Sequence, residues 1–131
     1  MDVRVTVLRD IVAHARQTSP EECCGLLIGT PKRVESVHAA RNLRRSSTRY
    51  LVDPLDHFAA IRSARQVGLG VVGAYHSHPA CPPEPSTTDE REATDPNFLH
   101  LIVSPVTAET RGFRLVDGQM APVELRPVLD P

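Results

Sequence analysis

The sequence has few cysteines, almost no net charge and no long apolar run, and each shortage removes a class of answer. Its three cysteines are Cys23, Cys24 and Cys81. The number is odd and two are adjacent, so no disulfide framework is expected and the thiols are read as reduced. A formal net charge of -1 leaves no overall field to draw the chain to nucleic acid or anionic lipid, so any partner has to be recognised locally. No apolar stretch approaches the ~18 residues that cross a bilayer, and the opening MDVRVTVLRD lacks the apolar segment of a secretory signal. A cytoplasmic protein is expected. Internal repeats and low-complexity linkers are absent as well, and 131 residues suit one domain spanning 1–131.

What is present reads as alternating short elements. Val7, Leu8, Ile11, Val12 and Ala15 recur at helical spacing and predict an amphipathic helix that stops before Ser19-Pro20. CCGLLIG, bounded by Pro20 and by Gly29-Thr30-Pro31, predicts a buried strand with VESVHAA as its antiparallel neighbour. The basic stretch RNLRRSSTR is a loop, and RYLVD is expected to form a third strand. Asp53-Pro54 supplies a cap and a first-turn proline for a second helix, with Phe58, Ile61, Ala64 and Val67 as its apolar stripe. GVVGAYHSH predicts a strand with Val72, Ala74, His76 and His78 on one face and Val71, Gly73, Tyr75 and Ser77 on the other. A short helix over 86–94, a strand at FLHLIVS and a terminal hairpin turning at Asp117-Gly118 complete the pattern. Strands and helices alternate without a regular βα rhythm, so the fold class is α/β of the mixed α+β kind, a mixed sheet flanked by helices.

The segment YHSHPACPPEPSTTD carries the chemistry. Strand residues two apart face the same side, about 6.5 to 7 Å apart, which lets His76 and His78 converge on one ion. Ser86-Thr87-Thr88-Asp89 reads as a capping box, turning the Asp89 carboxylate back towards the preceding loop. Pro79, Pro82, Pro83 and Pro85 restrict that loop and lower the entropy lost in holding Asp89 near the histidines. Two nitrogens and one oxygen make the three-ligand set of a catalytic zinc that keeps a position open for water. Taken singly, a histidine pair on a strand is often a surface accident and an SxxD only a helix cap. Of the neighbouring glutamates Glu21 and Glu22, one alone can face such a metal, because adjacent strand residues point to opposite sides; the residues themselves do not choose, and the alternative is that both are solvated at the strand entrance. Cys81 lies inside the ligand loop and, as thiolate, could occupy the open position; the alternative is an ordinary loop thiol. Cys23 and Cys24 are expected in the core, and His14, His38, His57 and His100 lack ligand spacing.

HSHP, six residues and then STTD resembles the metal signature of the JAMM (Mov34/MPN/PAD-1, or MPN+) metalloprotease family, in its compact prokaryotic form. The stretch Pro20 to Leu27, PEECCGLL, is similar to the family's PxExCGLL and matches it with Glu22 at the acidic position. The resemblance covers about residues 20 to 105. It implies a cytidine-deaminase-like MPN/JAMM fold, one Zn2+ held by His76, His78 and Asp89, Glu22 as general base and then acid, and Ser86 as a donor to the tetrahedral oxyanion. It also implies hydrolysis of a peptide or isopeptide bond after the Gly-Gly tail of a ubiquitin-like or sulfur-carrier protein. The short segments around 41–49 and 90–100 leave little room for the insertions with which larger relatives grip ubiquitin chains, so a small ubiquitin-like partner is expected. Arg41, Arg44, Arg45 and Arg49 form either a contact for an acidic partner or a solvated loop. Two other readings remain: a metallopeptidase acting on short peptides or cell-wall fragments, and a non-catalytic interaction module of the same fold. A zinc deaminase is disfavoured because its HxE and PCxxC signature is absent.

Overall fold

The structure, a computed structural model, describes residues 1–129. Its elements follow the order β1 (Asp2–Arg4), α1 (Val5–Thr18), β2 (Cys24–Thr30), β3 (Arg33–Ala40), α2 (Pro54–Gln66), β4 (Gly70–Ser77), α3 (Thr87–Glu92), β5 (Leu99–Val103), β6 (Thr110–Val116), β7 (Gln119–Val123) and β8 (Arg126–Val128). The strands form one sheet in the order β7-β6-β5-β4-β2-β3-β1-β8. β4 and β5 pair in parallel, as β1 does with β3 and β8; the other neighbours are antiparallel. This is the expected mixed sheet. The strands β1 and β8, at one end of the sheet, span three residues each, too short to show a period in the sequence. Among the described residues no helix is long and apolar enough to cross a membrane.

The sheet separates two main cores, and a third, smaller cluster of Ile102, Phe113 and Met120 joins β5, β6 and β7. On one face α1 buries Val7, Ile11 and Ala15 against Leu27, Val34, Tyr75, Leu99, Leu101 and Val103. The other face carries Cys24, Leu26, Ala40 and Ala74, packed against Ala60 of α2. Burial of this kind stabilises by about 25 cal/mol per Å² of apolar surface, so the central strands β2, β4 and β5, covered on both faces, form the rigid part of the molecule. The hairpin of β6 and β7 turns at Asp117-Gly118 as expected, with φ of 51° and 79° at the two positions, the left-handed geometry of a tight two-residue turn.

Three details depart from the sequence reading. RYLVD is not a strand: a single bridge joins Asn42 to Val52, and the chain loops around the Asn42 side chain, whose Oδ1 accepts from the amides of Arg44 and Leu51 at 3.0 Å each. A side chain has replaced the ladder. In α2, Asp53 caps as predicted, its Oδ1 accepting from the Leu55 amide at 2.9 Å, but the buried face is Ala60 and Ala64, while Phe58 and Val67 are exposed. Positions three apart drift by about 60° per step around a helix, so Phe58 and Val67 fall on opposite sides. On β4 the alternation holds from Gly73 onward but breaks at Val71 and Val72, where the pairing with β2 shifts register between Leu27 and Ile28. Val71 therefore packs with Ala74, and Val72 with the core that holds Tyr75.

Candidate metal centre

Alternation along the end of β4 turns Ala74 and His76 to the α2 face. The pairing of β4 with β2 decides what they meet: Cys24 stands opposite His76 and Leu26 opposite Ala74. The Ser77 amide donates to the Cys23 carbonyl at 3.1 Å, carrying the ladder past β2; one step further the count sets Glu22 level with His78, where the Glu22 amide leaves the ladder and donates to the Ser46 carbonyl at 2.7 Å. Glu22 is accordingly buried, at 3% exposure, with a carboxylate oxygen within 4.8 Å of ring nitrogens of both histidines. Glu21 is only half-buried and stands outside the Glu22, His76 and His78 group; both glutamates border a surface pocket beside His14 of α1. Register makes the choice between the two glutamates that strand alternation left open.

The third group arrives from outside the sheet. Ser86 caps α3: its Oγ accepts from the Asp89 amide at 3.0 Å, and Asp89 Oδ2 accepts from the Ser86 amide at 2.9 Å. This reciprocal capping box points the carboxylate at the histidines. His76 Nε2, His78 Nε2 and Asp89 Oδ2 then form a triangle with all three sides 3.2 Å. Supports fix each corner. His78 Nδ1 donates to the Pro82 carbonyl at 3.0 Å, which turns Nε2 towards His76 and Asp89; Tyr50 stacks on the His76 ring at 4.4 Å between centroids and 19° between planes.

Electrostatics describe a site that seeks positive charge. Burial drives the Glu22 pKa up to about 7, with His78 opposing and Asp89 adding to the rise. Burial likewise lowers the His76 pKa, keeping that imidazole neutral. At His78 burial pulls the pKa down, but the hydrogen bonds with Asp89 and the Pro82 carbonyl outweigh it and the pKa is raised. At Asp89 burial pushes up, and the hydrogen bonds from the two histidines overcome it, holding the carboxyl well below the usual range. Two imidazole nitrogens and a carboxylate oxygen converge on one point, a donor set that a divalent cation satisfies once the rings release the protons they share with Asp89. Zinc bonds of about 2.0 to 2.1 Å in a tetrahedron put ligand atoms about 3.3 to 3.4 Å apart, so the triangle fits the ion closely.

Other residues fall where the sequence suggested or beside it. Cys81 is exposed in the ligand loop, and partial burial with the nearby Glu22 and Asp89 charges raises its pKa, so it rests as thiol. Cys23 and Cys24 are buried free thiols pushed up to about 11 and about 12 by burial. Arg41 is exposed and meets Asp56 loosely at 3.9 Å. Sequence reasoning missed two contributors: Tyr50, and Asn42, whose Nδ2 donates to the Glu22 and Arg49 carbonyls at 3.0 Å each and so ties the basic loop to the glutamate's backbone. An asparagine amid a polar loop carries no periodic signal. The other omission is a cavity of about 460 Å³ beside Asp89, lined in part by Tyr50, Leu26, Ala74 and His100.

Residues 4–116 match the family model of prokaryotic homologues of the JAB domain. The chain is 36% identical over 121 residues to the CysO-cysteine peptidase of Mycobacterium tuberculosis, covering 88% of this chain and 83% of that protein. It is 34% identical to the desampylase of Haloferax volcanii, over 72% of this chain and 73% of the other. Among solved structures, protein DSY2949 from Desulfitobacterium hafniense superposes with a TM-score of 0.84 at 33% identity, covering 98% of this chain and 92% of that one.

Proposed function

Because the chain belongs to the JAMM/MPN family, in its branch of prokaryotic JAB-domain homologues, we propose that it is a zinc-dependent peptidase. Its reaction is hydrolysis of the amide after the C-terminal Gly-Gly tail of a ubiquitin-like or sulfur-carrier protein. The observation that carries this reading is the 3.2 Å triangle of His76, His78 and Asp89 with a protonatable Glu22 beside it. The names of two relatives, a CysO-cysteine peptidase and a desampylase, support the substrate class.

His76, His78 and Asp89 would hold the ion. Bound Zn2+ supplies two things, a water acidified to a pKa near ~7 and a polarised scissile carbonyl. Glu22, buried beside the two histidines, would take the water's proton on its carboxylate and return it to the departing amine, the double role of a general base and acid. Ser86 Oγ accepts from the Asp89 amide, which leaves its hydroxyl proton free to donate where the carbonyl oxygen gains negative charge. Glycines in the tail allow close backbone approach to such a buried centre.

The test is cleavage of a Gly-Gly-linked fusion by the zinc-loaded protein, set beside Glu22→Gln. Loss of at least about 100-fold in kcat with zinc content unchanged is expected; undiminished turnover would remove Glu22 from the mechanism, and no cleavage of any Gly-Gly conjugate by the loaded wild-type protein would remove the function.

A further inference from the structure

Two rows of residues cross the sheet on the α2 face. Cys24, His76 and Ile102 make one; Leu26, Ala74 and His100 make the next, two residues back along each antiparallel or parallel neighbour. The first row carries the candidate metal centre. The second is the floor of the 460 Å³ cavity, a volume within the range of small ligand sites. The rows lie about 7 Å apart, the rise of two extended residues.

The cavity has a mixed lining. Leu26, Ala74 and Phe98 give it an apolar floor, and Glu92 and Asp95 stand at its exposed rim. Asp95 Oδ1 accepts from the Asn97 amide at 2.8 Å, leaving its second oxygen for a ligand, and among the described residues Glu92 has no cationic partner. No lysine or arginine lines the space. His100, which lines it too, keeps its Nε2 enclosed without a hydrogen-bond partner, and burial lowers its pKa so that the ring is neutral. A buried unpartnered nitrogen costs about 1 to 3 kcal/mol unless something arriving supplies the bond.

We propose that this cavity is a specificity subsite for a lysine or arginine side chain at the position immediately before the Gly-Gly of the substrate tail. The proposal rests on the peptidase reading for its geometry. With the scissile carbonyl at the His76 row, the two glycines have no side chain to fill the space. The residue before them lies two positions back in an extended tail, which brings it over the Ala74 row. A long cationic side chain lays its methylene stem on Leu26, Ala74 and Phe98 while its head reaches Glu92 and Asp95. An acidic side chain there meets Glu92 and Asp95, with Asp89 also on the cavity wall, and no compensating lysine or arginine. The subsite therefore selects conjugates whose tails end in a basic residue followed by Gly-Gly.

The experiment uses zinc-loaded full-length protein and acetylated peptides ending X-Gly-Gly, with X as Arg, Lys, Leu or Glu. One series carries a fluorogenic amide and reads cleavage; the other ends in a free carboxylate and reads binding by calorimetry. Arg and Lys peptides are expected to exceed Glu at least about tenfold in kcat/KM, the difference lying in KM, and about tenfold in binding affinity. In Glu92→Gln/Asp95→Asn both ratios should collapse towards unity. Equal or reversed preference in the wild type, or a preference that survives in the double variant, overturns the subsite. If no peptide in the first series is cleaved the peptidase reading fails on its own, and the binding series still decides the subsite.

Discussion

Glu22 offers a measurement that needs no substrate. In the folded, metal-free protein its pKa stands at about 7 against an ordinary 4.5, because the side chain is buried. The unfolded chain releases that proton near 4.5 and the folded chain keeps it until about 7, so between these values the unfolded state binds fewer protons. Stability due to Glu22 is then full below pH 4.5 and is lost as pH rises through 7. Each pH unit of the window is worth about 1.4 kcal/mol, which puts the total loss at about 3 kcal/mol. Asp89 contributes with the opposite sign: its folded pKa is depressed, so its stabilisation is present above the unfolded value and lost as pH falls. The clean quantity is therefore the difference between wild type and Glu22→Gln, measured by urea unfolding of chelator-treated protein from pH 4.5 to 8. Wild type should lose about 3 kcal/mol relative to the variant across that range. A difference constant to within about 0.5 kcal/mol would refute the claim that Glu22 holds a proton near neutrality. Zinc should flatten the slope, since a neighbouring cation favours the carboxylate.

Three further outcomes are expected. Ser86→Ala should lower kcat about 100-fold with little change in KM and, through the lost N-cap, lower stability by about 1 kcal/mol; steady-state kinetics and urea unfolding read the two separately. Tyr50→Leu removes the ring stacked on His76 and should weaken zinc affinity about tenfold in a chelator competition, while Tyr50→Phe keeps it. Gly25→Ala would drive its Cβ into the Tyr75 ring, whose hydroxyl is hydrogen-bonded to His14 Nδ1 at 2.8 Å; unfolding experiments should show a loss of at least about 2 kcal/mol.

The candidate ligand residues were legible because each sits in a local pattern. His76 and His78 share a strand face through alternation, and Asp89 follows its cap by three residues, so spacing alone carries them. Short-range rules also found α1, the capped start of α2 and the Asp117-Gly118 turn. What escaped depends on contacts between distant segments. The loop at 41–53 is organised by Asn42, whose partners span residues 22 to 51. RYLVD looked like a strand because Tyr50, Leu51 and Val52 favour extended backbone, but Tyr50 is drawn onto His76 and no strand forms. The apolar residues of α2 likewise suggested a broad buried face, whereas two alanines suffice where the helix packs on β2, β3 and β4. Choosing Glu22 by physical reasoning needed the β2–β4 register, which no single-strand period contains.

That register has a consequence for how the chain can change. Glu22 is joined to the histidines by counting: its number and that of His78 give the same total as Cys24 with His76, so the acid keeps its side of the sheet only through parity. One residue inserted between Glu22 and Cys24 would swing the carboxylate over to α1, while two would restore the side but displace it by about 7 Å. Insertions in the exposed turn between Thr30 and Arg33 or beyond Val116 leave the count untouched, so the molecule can lengthen at its borders while the distance from acid to imidazole stays set by the weave of two central strands.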